Sequence, residues 1–354
     1  MFDIDTFCDL IWKQKYDDII NSIDKTSYNK FLLPKKNGYR EIVALSSNSM
    51  LWKLQKQLTT RYLNFKPLPV CVKGFVRGEN YISFLDEHIG SSFFMRVDIA
   101  SFFPSITEKM INETLEEIVV FKTREDKDKI IHLISEIVLL DGKLPQGACS
   151  SPVVSNLVMA RIDQRITKYC QVLGVKYTRY ADDLLFSSLT FDFDEKKWFL
   201  KKIKHILGTA SFRINYSKLK IGKAPFALNG FIIYSNGVRL SRKRLKNIRH
   251  LVSFSDTNCK SLLPDQKELF LKGLNSTQSS WKGATTKNFD SLFKFVQYLC
   301  GYRSFLLSLI DSFLYTDYHQ REIERLIRRI EKQVQMLSEL SIKKQEQYRA
   351  TKSN

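Results

Sequence analysis

No apolar run in the 354-residue chain reaches the roughly 18–20 residues needed to cross a bilayer. The first residues, Met1-Phe2-Asp3-Ile4-Asp5, carry acids where a secretory signal carries bases. A membrane protein is therefore not expected. Cysteine is sparse: Cys8, Cys71, Cys149, Cys170, Cys259 and Cys300 are scattered, with no CxxC pair and no histidine at ligand spacing. That argues against zinc and for free thiols in a reducing cytoplasm. No internal repeat is visible. Negative charge is the minority sign, with 37 Asp and Glu against 56 Lys and Arg, leaving +19. An excess of that size suits a polyanionic partner and, with membranes set aside, points to nucleic acid.

What is present is a chain long enough for two or three subdomains, with a hydrophobic fraction of 44%, normal for a folded protein. Its centre is Tyr177-Thr178-Arg179-Tyr180-Ala181-Asp182-Asp183-Leu184-Leu185-Phe186-Ser187. Two adjacent acids between β-forming runs predict a strand, a tight turn and a returning strand, with both carboxylates at the tip. Alone, such a pair is usually an Asp-rich turn. A second apolar run, Phe93 to Pro104, is broken by Asp98, and a lone carboxylate there is expensive to desolvate. If the two runs are neighbours, three carboxylates converge, the hard-oxygen set that two Mg²⁺ ions need for an in-line phosphoryl displacement.

Other stretches are read in chain order. Residues 1–30 suit one or two short helices. Phe31 to Val43 predicts a hairpin through Asn37-Gly38, with Lys35, Lys36 and Arg40 as phosphate-binding candidates; a solvated basic turn is the plainer alternative. Leu51, Leu54, Leu58 and Tyr62 mark a helix with one buried face. His88, alone, is more simply a structural hydrogen-bonding residue. Ser105 to Glu108 has a capping-box pattern ahead of a helix to about Val120, 122–129 is expected as a charged loop, and Ile130 to Val138 as a second helix. Leu144-Pro145-Gln146-Gly147-Ala148-Cys149-Ser150-Ser151-Pro152 opens a helix to about Leu173. Lys196 to Leu207 is a basic amphipathic helix. Phe226 to Leu240 is expected as one hairpin. Arg242, Lys246 and Arg249 then share a helix face opposite Leu245, Ile248 and Val252, a phosphate track or a solvated face. Ile323, Leu326, Ile330, Val334 and Leu337 follow near-heptad spacing in the last helix, and the polar tail after Ile342 is expected to fray.

Tyr180-Ala181-Asp182-Asp183 resembles the YxDD box of reverse transcriptases. Asp98 with Phe102-Phe103-Pro104-Ser105 resembles their first catalytic block, and Leu144 to Pro152 their PQG block. The blocks stand in the family's order, and the resemblance runs from about Phe31 to about Leu306. It implies an α+β right-hand polymerase, with fingers, a palm built on an antiparallel sheet, and a helical thumb. The expected division is 1–90 for N-terminal helices and fingers, 91–238 for the palm with inserted finger helices at about 107–143, and 239–354 for a basic helical thumb and C-terminal helix. It also implies an RNA-directed DNA polymerase that makes cDNA on a partner RNA from dNTPs. Asp98, Asp182 and Asp183, with Ile99, would hold two Mg²⁺ ions, with Mn²⁺ as a substitute. Lys218 would protonate the pyrophosphate or stabilise its charge. Phe103 would sit under the sugar and exclude a 2′-hydroxyl, and Gln146 and Gly147 would border nucleotide and template.

Within the family the chain is most similar to compact bacterial enzymes, the retron reverse transcriptases and their defence-associated relatives, through His88-Ile89-Gly90, the PQGA start, TRYADD and the basic run after residue 238. It departs where retron enzymes usually carry Asn-Ala, here Phe84-Leu85, and Val-Thr-Gly, here Leu228-Asn229-Gly230. The reading favoured is a defence-associated (anti-phage) reverse transcriptase outside the typical retrons. The alternatives are a retron enzyme making branched RNA–DNA, or a subunit of a larger complex with an effector protein or a second copy of the chain, working by template-independent or protein-primed synthesis or as an RNA-binding scaffold.

Overall fold

The computed structural model describes residues 3–35, 38–259, 266–280, 288–310 and 317–352. The chain divides into two compact units, Met1–Ala224 and Pro225–Asn354. In the first, α1 (Ile4–Trp12) and α2 (Tyr16–Asn21) precede a hairpin of β1 (Tyr28–Lys35) and β2 (Gly38–Leu45). Then α3 (Met50–Arg61) and α4 (Tyr81–Asp86) lead to β3 (Phe93–Asp98). Four helices follow: α5 (Phe102–Ser105), α6 (Glu108–Ile118), α7 (Arg124–Val138) and α8 (Ser151–Val172). The pair β4 (Lys176–Tyr180) and β5 (Asp183–Ser188), α9 (Trp198–Gly208) and β6 (Lys220–Lys223) complete the unit.

β4, β5, β3 and β6 form one antiparallel sheet in that order, so strands far apart in sequence become neighbours. Side chains alternate between its faces. Tyr177 and Phe186 stack across β4 and β5, and Phe186 meets Phe199 of α9 edge-on, so this face holds core. The other face carries Arg96, Asp98 and Asp183 at one end. All six residues of β5 are buried, as suits the strand between β4 and β3.

Two local expectations are corrected. The charged run at 122–129 is not a loop: α7 starts at Arg124, because Thr123 accepts the Asp126 amide, Glu125 and Asp126 sit at the helix's positive end, and Lys129 pairs with Glu125 one turn on. Ser105 does not cap α6. It ends α5, its hydroxyl donating to the Ser101 carbonyl at 2.9 Å, and Thr107 takes the N-cap position.

The second unit begins with β7 (Phe226–Leu228), β8 (Phe231–Tyr234) and β9 (Gly237–Leu240), followed by α10 (Arg242–Cys259), α11 (Lys267–Ser280), α12 (Leu292–Ile310) and α13 (Asp317–Lys352). The single hairpin expected here is a three-stranded meander. Asn229-Gly230 makes its first two-residue turn with both φ positive, +46° and +85°, the conformation that Asn-Gly favours. The meander falls in the second compact unit, which begins at Pro225. Ile323, Leu326, Ile330 and Leu337 of α13 are buried. Gln333, also buried, donates to the Val252 carbonyl of α10 at 2.8 Å, so the helix packs within its own unit. Its polar end, expected to fray, continues as helix to Lys352. Among the described residues no helix is long and apolar enough to cross a membrane.

Candidate active site

Asp98 ends β3 directly opposite Asp183, the first residue of β5. Between β4 and β5 lie only Ala181 and Asp182, and the Ile99 amide donates to the Asp182 carbonyl at 2.9 Å. The three acids therefore share one end of the sheet. Burial and the charge of Asp98 raise the Asp182 pKa above its ordinary value, against the pull of Lys218 and Arg40. Burial raises Asp183 too, opposed by Arg96. Like charges in a poorly solvated space recruit cations. Arg96 Nε donates to Asp183 Oδ1 at 2.9 Å, Lys218 Nζ to Asp98 Oδ2 at 2.8 Å, and Asn215 Nδ2 to Asp98 Oδ1 at 2.9 Å.

Arg96 Nη2 also lies 3.9 Å from Asp98 Oδ2, so one guanidinium stands between Asp98 and Asp183. Among the described residues no three His, Cys, Asp or Glu side chains are gathered closely enough to hold a metal ion. The backbone brings the three residues to one end of the sheet, with Arg96 and Lys218 against the Asp183 and Asp98 carboxylates. The donor chemistry nevertheless fits Mg²⁺, which takes hard oxygen ligands. Ile99 can contribute only main chain, its aliphatic side chain being 1% exposed.

The other expected residues divide. Lys218 is at the site. Arg40 lies on β2, opposite Leu33, near enough to act on Asp182. Lys35 ends β1 opposite Gly38, and Lys36 lies outside the described residues. The Gln146 carbonyl accepts from the Val43 amide at 2.8 Å. Gly147, at φ +129°, is so close to β2 that an added Cβ would lie 3.0 Å from the Val43 carbonyl oxygen, so the PQG block is seated on the hairpin and needs glycine there. Phe102 is buried and Phe103 only half-buried, its ring 6.4 Å from Phe75, which in turn lies 6.3 Å from Tyr180. Arg242, Lys246 and Arg249 belong to the second unit, lining a cavity of about 740 Å³ on α10, where Arg249 is ion-paired to Glu322.

Sequence reasoning missed the scaffold of the turn. Ala181 has φ +55°, a strained value for a residue with a side chain. Its carbonyl accepts from Arg179 Nη1 at 3.1 Å. Arg179 is wholly buried, paired to Asp163 of α8 at 2.7 Å and bonded to Asn156 at 3.0 Å, while Asn156 reaches the Gly74 carbonyl at 2.8 Å. An added Cβ on Gly74 would lie 2.6 Å from the Ala181 nitrogen, so this glycine lets the chain lie against the turn. Arg96 was legible in principle, two residues before Asp98 and so on the same face. Arg179 and Asp163 carry no such local signal.

His88 is structural. It is fully buried, hydrogen-bonded to Ser187 Oγ at 2.7 Å and Thr178 Oγ1 at 2.8 Å, tying the chain after α4 to β4 and β5. Burial, with a smaller contribution from Lys176, lowers its pKa from 6.5 to about 3. Between those values the unfolded chain binds a proton that the folded chain excludes, so stability is full above pH 6.5 and falls as pH drops towards 3. Lowering the pH from 7 to 5 should cost about 2 kcal/mol through this residue. His88→Gln should flatten that part of the pH dependence of the urea midpoint; an unchanged slope refutes it.

Against known proteins, the reverse transcriptase (RNA-dependent DNA polymerase) family profile matches residues 33–233. The retron Ec86 reverse transcriptase of Escherichia coli is 28% identical over 255 residues, 70% of this chain and 72% of that protein. The retron Mx162 reverse transcriptase of Myxococcus xanthus is 30% identical over 177 residues, 46% of this chain and 36% of that protein. A solved foamy viral protease-reverse transcriptase in complex with an RNA/DNA hybrid superposes with a TM-score of 0.42 at 15% identity, over 86% of this chain and 33% of that one.

Proposed function

The chain belongs to the reverse transcriptase (RNA-dependent DNA polymerase) family and is similar to retron reverse transcriptases, and from that premise we propose that it copies a partner RNA into cDNA by two-metal nucleotidyl transfer, as part of anti-phage defence in the cytoplasm. One observation carries the chemical part: Asp98 faces Asp183 across β3 and β5, with Asp182 in the turn between β4 and β5. Asp98, Asp182 and Asp183, with the Ile99 main chain, are the residues that would hold Mg²⁺. When bound, the ions make the primer 3′-hydroxyl a better nucleophile and offset charge on the leaving pyrophosphate. Arg96 and Lys218 neutralise Asp183 and Asp98 until those carboxylates are given over to the ions. Lys218, 45% exposed and beside Asp98, is placed to meet charge developing on the pyrophosphate. Arg40 offers a cation to the triphosphate, the seated Gln146-Gly147 backbone borders the base pair, and the half-buried Phe103 ring closes the space a 2′-hydroxyl would need. The excess of positive charge suits an RNA partner.

Primer extension on an RNA template, with labelled dNTPs and the nucleic acid that copurifies with the protein, tests this. DNA synthesis should require the RNA, be abolished by EDTA and return with Mg²⁺. Synthesis that persists in EDTA, or none on any primed RNA, refutes it.

A further inference from the structure

Gly301 sits inside α12, where glycine is disfavoured relative to alanine because it has more backbone freedom to lose. Among the described residues packing does not ask for it, since an added Cβ there would meet no atom within 4 Å beyond the helix's own backbone. It opens instead onto a cavity of about 920 Å³ lined wholly by the second unit. That is within the roughly 300–1,000 Å³ of small-ligand sites. Tyr298 and Tyr302, one turn apart on the same helix, and Phe305 present half-buried rings to this space. The two tyrosine hydroxyls lie 3.2 Å apart. The Arg244 guanidinium lies over the rings of Phe305, at 4.2 Å, and Phe231, at 5.1 Å, so its planar cation is held at the cavity wall. Gln297, exposed on the same wall, adds an amide donor and acceptor.

Ring faces, hydrogen-bonding edges and a planar cation, around a stretch of helix stripped of its side chain, form a slot for a flat heteroaromatic group. The surrounding charge says which. Pro225–Asn354 carries 22 Lys and Arg against 11 Asp and Glu, a field that draws in polyanions. Aromatic platforms in a basic groove bind unpaired bases, because every base offers a π-face while only an unstacked one can present it. We propose that this cavity takes an unpaired nucleobase of a single-stranded nucleic acid. Gly301 lets the base approach the helix backbone, the Tyr302 ring stacks on it while the Tyr298 ring, at 78° to the first, meets its edge, and Arg244 meets the base or the adjoining phosphate. The proposal rests on the nucleic-acid partner named above, and it assigns to the second unit a recognition element separate from the carboxylate site.

Gly301→Leu tests it, because leucine favours the helix while filling the slot. The thermal midpoint should stay level or rise. By fluorescence anisotropy, without nucleotide or Mg²⁺, affinity for a single-stranded RNA 12-mer should fall about tenfold or more, and that for a blunt RNA duplex of the same length should change by less than about twofold. Tyr302→Leu should weaken single-strand binding in the same direction. A parallel loss on single-stranded DNA of the same sequence supports the pocket as a reader of base rather than sugar, and a loss confined to RNA supports it with a ribose contact. Unchanged single-strand affinity in Gly301→Leu, or an equal loss on the duplex, overturns it. Since the readout involves no catalysis, failure of the polymerase reading leaves this result untouched.

Discussion

Asp182→Asn should lower nucleotide incorporation on a primed RNA template about a thousandfold or more, the rate equivalent of several kcal/mol of lost transition-state stabilisation. Among the three acids Asp182 is the informative one. Asp183 is bonded to Arg96, and Asp98 to Lys218 and Asn215, so substitution there also disturbs a salt bridge. Asp182 sits in the turn, its pKa raised by burial and by Asp98. A raised carboxylate pKa means that the ionised form costs stability in the folded chain, so the neutral amide should leave the thermal midpoint unchanged or higher. RNA binding should survive, since a negative charge near the template has been removed. Loss of activity together with preserved or improved stability marks a group retained for chemistry. Near-normal turnover in this variant would sink the two-metal reading.

Arg179→Met should destabilise the first unit by about 3–5 kcal/mol, as expected when one partner of a buried ion pair is removed and the other stays charged. Asp163 would be left in the core with, among the described residues, the Tyr177 hydroxyl at 2.8 Å as its remaining polar partner. Arg179→Met combined with Asp163→Leu should recover much of the loss, because two apolar groups of similar size need no charge compensation. Urea unfolding followed by circular dichroism reads both. The double variant carries a second expectation. With the core repaired but the donor to the Ala181 carbonyl gone, the strained turn loses a restraint, and kcat should stay depressed while KM for dNTP moves little. If the double variant regains full kcat, Arg179 serves stability alone; if the single variant unfolds no more easily than the unaltered chain, the ion-pair account fails.

Much of the site was legible because local rules wrote it. The hairpin around Asp182-Asp183 follows from strand-forming residues on either side of a two-residue turn, and Asp98 stood out as one acid in an apolar strand. The misread charged run at 122–129 shows the limit: its residues are polar whether they form a loop or the exposed first turn of α7, and only the Thr123 cap and the i,i+4 pairs decide. At 226–240 the alternation suits a single hairpin, but Asn-Gly occurs twice, at 229–230 and 236–237, and the segment folds as a three-stranded meander.

The blocks around Asp98, Gln146 and Asp182-Asp183, through their resemblance to the reverse transcriptase family, were enough to identify the polymerase class, and the excess of positive charge was enough to suggest a polyanionic partner. Each depends on residue identity and short-range spacing. Tertiary structure alone decided that Asp183 meets Arg96, that Asp98 meets Lys218 and Asn215, that Arg179 reaches back to hold the turn, and that Gly301 opens onto a cavity. Those outcomes depend on which strands pair and which helices cover them, distances in space that no spacing along the chain encodes.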